Sequence, residues 1–493
     1  MDKNKPNILL IMCDQLRADV LGCYGNDYVK TPNIDRLAEN GITFNRAYST
    51  SPVCIPARHA TISGKSPFQL GMLENTGNRA EILYPLARQI RDAGYYTCAV
   101  GKMHFVPTRE HFGFDRMYLS EEVPRHIQDD DYLHFLLKNG FENIVEPHGK
   151  RSETYYVPQV SELPEEYHTT AWTGKKTGEV IKNNRNRPFF IFSSFIKPHP
   201  PFDPCEPYDK MYPPEEVPMP VRNEQELNPK DRIIDKQNDY KVNGIENVTD
   251  KDVRKIRSHY YGSVTQMDKQ VGNILDTLEE YGLRDNTIII FTSDHGEMLG
   301  DHYGFGKRTF YEQSARIPFI VSWPEKLPEN ETRNQFAVLP DIYSTLISAA
   351  EGKIPQNENI AGKNLIPVCK DNKEKVRDKI YAEFGFDKNL KFMLRWNNYK
   401  YIYFANGGLE SLFDLAEDPE ELNDTAEENP DLCKECRKEL VKYYKNRGFD
   451  KAVERDKLVE FEYEPIQPSG YIDQYPHWPE TVVDDWHESL LEE

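Results

Sequence analysis

Three apolar runs decide what this chain can fold into: PNILLIMC (Pro6 to Cys13), PFFIFSSF (Pro188 to Phe195) and TIIIFT (Thr287 to Thr292). None alternates apolar with polar residues, as a half-exposed strand would. Each is therefore expected as a strand buried on both faces, as in a parallel sheet covered by helices. The runs lead into Asp14-Gln15, Lys197-Pro198-His199 and Ser293-Asp294-His295. Open α/β sheets bind ligands beyond the carboxyl ends of their strands, so these polar endings are candidate site residues.

The stretch SPVCIPARHATISG (Ser51 to Gly64) carries a second constraint. Pro56 suits a first helical turn and Gly64 a stop, which puts Cys54 at a helix N-terminus, where the dipole favours an anion. Arg58, four residues on, falls on the same face and adds a permanent positive charge. An isolated C-x-P-x-R is equally compatible with a buried structural cysteine beside a surface arginine. Its neighbours have to decide.

With 493 residues the chain can bury a large core and divide into two domains, placed at 1–370 and 371–493. Lys+Arg 61 against Asp+Glu 81, a net charge of −20, argues against nucleic acid and anionic membranes as partners. The first apolar run is too short to span a bilayer and its acidic flanks do not suit a signal peptide. The expected location is cytoplasmic, or periplasmic or secreted if a leader has been removed. The eight cysteines are scattered and show no disulfide framework; Cys433-x-x-Cys436 lies in a charged helical pattern and is read as incidental.

In chain order, a helix is expected from Thr31 through Ala38, another over Ile82 to Ala93, and a short strand over Tyr96 to Val100. That strand leads into Gly101-Lys102-Met103-His104, able to aim two donors into one cleft. Residues 105 to 170 read as an irregular, substrate-facing insertion. A helix follows over Thr169 to Asn184. The prolines after Phe195 hold their segment extended, so that Lys197 and His199 can point the same way. Residues 203 to 250 read as loop and Val253 to Tyr281 as a long amphipathic helix. Strand Arg316 to Trp323 and helix Leu339 to Ala350 close the first domain. Four short strands between Lys379 and Asp414 and a helix over Asp431 to Arg447 follow, then an acidic, aromatic tail that could make a subunit contact.

Taken together, C-x-P-x-R at Cys54, D-Q at Asp14, G-K-x-H at Lys102, K-P-H-x-P-F at Lys197, D-H-G-E at Asp294, G-K at Lys307 and the closing L-F-D-L resemble the type I, formylglycine-dependent sulfatases of the alkaline phosphatase superfamily. The resemblance runs nearly the whole chain, in order. It implies an alkaline phosphatase-like α/β/α sandwich with a large mixed sheet, plus a smaller α+β subdomain with an antiparallel sheet. It also implies hydrolysis of a sulfate ester by formylglycine made from Cys54, which requires a maturation enzyme as partner.

On that resemblance the catalytic residues are Cys54, Arg58, Lys102, His104, Lys197, His199 and Lys307. The metal ligands are Asp14, Gln15, Cys54, Asp294 and His295. Oxygen donors suit Ca²⁺, and His295, where many animal members have an oxygen ligand, keeps Mn²⁺ and Mg²⁺ as alternatives. The expected substrate is a small sulfated sugar or oligosaccharide, with aryl or choline sulfates as alternatives.

Two rivals remain. Ala57 and Asn75 also suit a phosphonate monoester or phosphodiester hydrolase on the same scaffold, although that branch departs from G-K-x-H where this chain keeps Lys102 and His104. A non-catalytic binder should have lost a nucleophile, ligand or lysine, and none is missing.

Overall fold

The three apolar runs lie side by side at the centre of an eight-stranded sheet. In the computed structural model, residues 5–464 are described apart from 77, 78, 123, 125, 145, 151–155, 228–247, 356 and 357. The strands are β1 (Asn7–Asp14), β2 (Ile42–Tyr48), β3 (Tyr96–Gly101), β4 (Arg116–Leu119), β5 (Phe189–Pro198), β6 (Thr287–Ser293), β7 (Phe319–Ser322) and β8 (Glu331–Val338). Their spatial order is β4-β3-β5-β1-β6-β7-β2-β8. Strands β4, β3, β5, β1 and β6 run parallel, while β7 runs antiparallel to both β6 and β2.

The continuous apolar runs are explained by what covers each face. Ile8, Leu10 and Met12 of β1 point to one side with Ile288 and Ile290, against Ile342 and Leu346 of the Asp341–Ala349 helix. Leu9 and Ile11 point to the other with Ile289 and Phe291, under Val264, Met267, Val271 and Ile274 of the Asp250–Glu280 helix. Both parities are buried because both faces carry helices. Each such side chain contributes about 1.5–3 kcal/mol on leaving water, and Leu10→Ala would cost roughly 2–5 kcal/mol.

A second sheet contains β9 (Lys379–Phe384), β10 (Lys391–Trp396), β11 (Tyr399–Phe404) and β12 (Leu409–Asp414), all antiparallel. One face is covered by the Pro430–Asn446 helix, where Cys433 and Cys436, one turn apart, are core residues beside Leu440 and Tyr444. The other face, with Phe384, Met393, Ile402 and Phe413, packs on Tyr48, Met298, Phe310 and Tyr311 of the first body. All eight cysteines are free thiols.

Several boundaries differ from those expected. Pro85 caps the helix expected from Ile82, which runs only over Leu86–Asp92, since proline favours its N-terminal boundary over its interior. Within residues 105–170 the chain forms β4 and the Asp131–Lys138 helix. Strand β8 had no expected counterpart: its outer half carries exposed Glu331, Thr332 and Asn334, which break the apolar pattern. Over the expected 203–250 loop the chain makes short 3₁₀ turns at Tyr208–Lys210 and Glu224–Leu227 before the Asp250–Glu280 helix. Residues 228–247 and the end of the tail from 465, with its expected subunit contact, lie outside the described residues. Among the described residues no helix is long and apolar enough to cross a membrane.

Candidate active site

Five parallel strands end at one cleft, and each delivers polar side chains just past its carboxyl end. β1 brings Asp14 and Gln15, β3 brings Lys102 and His104, β4 brings Glu121 and Glu122, β5 brings His199, and β6 brings Asp294 and His295. The Cys54–Ser63 helix closes the cleft with Cys54 as its first residue and Gly64 as its left-handed stop (φ 69°). Gly101 lets β3 turn out of the sheet: with φ 87°, a Cβ there would lie 2.0 Å from the Ser194 carbonyl oxygen.

Cys54 Sγ stands 3.2 Å from Lys307 Nζ, 3.3 Å from His295 Nε2 and 3.7 Å from Asp14 Oδ1. Burial raises its thiol, but the Lys307 and Lys102 ammoniums, with His295 and His104, outweigh that and hold it well below its ordinary value. Asp14 is likewise raised by burial and by Cys54, yet Lys102, His199 and Lys307 keep it below the usual carboxylate range.

Arg58 is fully buried and spends its guanidinium on four partners. Nε donates to Asp294 Oδ2 at 2.8 Å, one terminal nitrogen to Ser194 Oγ at 2.8 Å and the Lys102 carbonyl at 2.7 Å, and the other to Asp14 Oδ2 at 3.4 Å. It locks three strand ends together as well as adding charge. Lys102 ion-pairs with Asp14 and, at 2.5 Å, with Glu122. Burial alone would lower the Lys102 ammonium, but these carboxylates raise it.

Gln15 (φ 64°) bridges the two halves. Its Oε1 accepts from Lys307 Nζ at 2.7 Å, its Nε2 donates to Glu297, and its amide donates to Asp294 Oδ1 at 3.1 Å. His104 (φ 55°) is half-buried, with both oxygens of Glu121 accepting from its amide at 3.1 Å, and its side chain reaches the Cys54 sulfur. His199 Nδ1 donates to the Pro200 carbonyl at 2.6 Å and lies 3.4 Å from Glu122. Burial pushes His199 down to about 4, with Lys307 and Lys102 adding to that and Glu122 and Asp14 opposing it.

The ligating atoms of Asp14, Cys54, Asp294 and His295 all lie within 4.8 Å of one another, and all four residues are buried. With the amide oxygen of Gln15 nearby, that donor set fits one divalent cation. Burial lowers His295, but Asp294 and Cys54 raise it overall, so a cation arriving here would compete with a proton.

Every candidate residue except Lys197 has described contacts in this cluster. Lys197 ion-pairs with buried Asp203 and donates to the Pro201 carbonyl at 2.7 Å and the His148 carbonyl at 3.2 Å, so it and His199 part rather than point together. Glu122 and Glu297 went unassigned in the sequence. Glu297 sits in the D-H-G-E run and accepts from the amides of Leu299 and Gly306 as well as from Gln15. Glu122 follows the four-residue strand β4, whose RMYL gives no alternation long enough to read.

A sulfatase family model matches residues 6–353, and a model for the C-terminal part of N-sulphoglucosamine sulphohydrolase matches residues 300–446. An arylsulfatase of Clostridium perfringens is 32% identical over 464 residues, covering 90% of this chain and 95% of that one. A multifunctional alkaline phosphatase superfamily protein of Trinickia caryophylli is 28% identical, covering 86% and 91%. The crystal structure of a phosphonate monoester hydrolase of Agrobacterium radiobacter superposes with a TM-score of 0.78 at 26% identity, over 93% of this chain and 100% of that one.

Proposed function

The chain belongs to the sulfatase family, a sulfuric ester hydrolase of alkaline phosphatase-like fold, and from that premise we propose that it hydrolyses a small sulfate ester through a formylglycine made from Cys54. The observation that carries the proposal is the convergence on one sulfur of Lys307, His295, Asp14 and His104. A structural cysteine would be surrounded by apolar side chains and its thiol would be raised, as at Cys98, pushed up to about 12.

A maturation enzyme would oxidise Cys54 to the aldehyde, and its hydrate would supply one hydroxyl to attack sulfur and a second to release the product. Asp14, Gln15, Asp294 and His295 would hold the divalent cation, Ca²⁺ being favoured by the three oxygen donors. When bound, that cation supplies Lewis-acid charge stabilisation and lowers the pKa of a neighbouring hydroxyl. Lys102 and Lys307 would contact the sulfate oxygens, where preorganised donors act in a buried site. Arg58, engaged by Asp14, Asp294, Ser194 and the Lys102 carbonyl, would hold the ligand carboxylates in place and add positive charge. His104, beside the Cys54 sulfur, is placed to move the proton of the nucleophile's hydroxyls. His104 or His199 would protonate the departing alcohol. His199, which burial holds down to about 4, would need Glu122 and the bound ester's negative charge to hold that proton. Lys197 would support the β5 end through Asp203.

Residues 1–370 would form the catalytic domain and residues 371–493 a subdomain that braces the cleft from outside. The aromatic, charged 105–170 segment suits a sulfated sugar or oligosaccharide, with an aryl sulfate as the alternative.

One observation favours a phosphonate or phosphodiester hydrolase instead. Asn75 Oδ1 accepts from the Ile55 amide at 3.0 Å, which sets the asparagine shared with that branch one residue from Cys54. Steady-state kinetics on 4-nitrophenyl sulfate and 4-nitrophenyl phenylphosphonate separate the two. A higher kcat/KM for the sulfate is expected, and a clear preference for the phosphonate overturns the assignment.

A further inference from the structure

Glu122 is a buried carboxylate of the cleft that meets both Lys102 and His199, and the proposed reaction gives it no task. It is 6% exposed. One oxygen accepts from Lys102 Nζ at 2.5 Å and the other lies 3.4 Å from His199 Nδ1. It falls with Asp14 and His199 in a group whose polar atoms lie within 4.8 Å of one another.

Its position changes the charge of the site. Lys102 stands between Asp14 and Glu122, and Arg58 between Asp14 and Asp294. Among the described residues, the buried cations Arg58, Lys102 and Lys307 thus face the buried carboxylates Asp14, Asp294 and Glu122, while Glu121 and Glu297, also buried, accept from backbone amides. A cleft meant only to attract anions has no use for the Glu122 carboxylate directly beside the lysine that would hold the ester.

We propose that Glu122 is a specificity-determining residue that favours singly charged esters and disfavours doubly charged anions, both phosphate monoesters and the inorganic sulfate product. The inference rests on the cleft being an ester hydrolase site as proposed above. A sulfate monoester and a phosphonate monoester each carry one negative charge. A phosphate monoester at pH 8 and free sulfate each carry two. A fixed carboxylate in a buried site repels the second charge with little screening. Repulsion of this kind is a common device for discriminating between ligands that make the same attractive contacts. It also helps the product leave, because the product carries one charge more than the substrate.

The bland alternative is that Glu122 only holds Lys102 in place. Its loss would then slow every ester alike and leave their ratios unchanged. The test compares wild type, Glu122→Gln and Glu122→Asp on 4-nitrophenyl sulfate, 4-nitrophenyl phenylphosphonate and 4-nitrophenyl phosphate at pH 8, together with inhibition by inorganic sulfate. Glu122→Gln should raise the kcat/KM ratio of the phosphate to the better singly charged ester by about tenfold or more, and tighten sulfate inhibition similarly. Glu122→Asp, which keeps the charge, should leave both within about threefold. Glu122→Ser serves if the glutamine variant does not accumulate. An unchanged ratio with unchanged sulfate inhibition overturns the proposal. Which singly charged ester the wild type prefers judges the sulfatase assignment separately.

Discussion

Cys54 Sγ and Lys307 Nζ stand 3.2 Å apart although 253 residues of chain separate them. The second body makes that approach possible. Phe310 and Tyr311, just after Lys307, pack on the apolar face of the antiparallel sheet, while Phe310 also offers its carbonyl to Lys400 at 2.8 Å. Losing the ammonium should therefore affect the reaction more than the fold. Lys307→Ala is expected to lower kcat by about two to three orders of magnitude and to change KM less, because the charge it meets is greatest in the transition state. Near-normal kcat would make it a bystander.

Lys400 should matter for stability. It is buried between Glu312 and Glu421, each at 2.7 Å. Lys400→Met leaves two buried carboxylates without their cation, and breaking a buried pair in this way costs about 3–5 kcal/mol. Urea denaturation measures it, and a loss below about 0.5 kcal/mol, the range of ordinary surface changes, would show that the pair does not hold the two bodies together.

Metal content is the next expectation. Asp294 Oδ2 accepts from Arg58 at 2.8 Å while its Oδ1 accepts from the amides of Gln15 and His295. Asp294→Asn keeps that shape but weakens the donor set, so bound divalent metal, measured by elemental analysis, should fall well below the wild-type level. Turnover undiminished after chelation would count against the site. Recovery with Ca²⁺ rather than Mn²⁺ would identify the ion.

Most of this site could be read from the sequence because strand ends announce themselves. Asp14, Asp294 and His295 follow apolar runs that are buried on both faces, and Cys54 and Gly64 bracket a helix whose proline and glycine mark its ends. Glu122 could not be found that way, since β4 is four residues long and sits at the sheet edge. Lys197 misled because sequence spacing says nothing about a distant partner, and Asp203 claims its ammonium. Strand β8 was missed because an edge strand with one exposed half lacks the pattern of a buried one.

Stability should respond to pH through Glu383. This carboxyl accepts from the Phe68 amide at 3.1 Å and from the Tyr444 hydroxyl at 3.0 Å, and burial pushes it up to about 8. The folded protein therefore holds a proton that the unfolded chain releases near the ordinary glutamate value. Folding is penalised progressively as pH rises from about 4.5 to about 8, and the penalty levels off above that. Glu383→Gln should gain stability over wild type across that window. A difference in melting temperature that does not change with pH would contradict it.

The most direct measurement is the state of Cys54 in active protein. Peptide mass analysis across residues 51–58, on samples matured to different extents, gives the fraction converted to formylglycine. Turnover per chain should rise in proportion to that fraction and vanish when Cys54 is unmodified. Full activity in protein whose Cys54 is entirely thiol would contradict the mechanism.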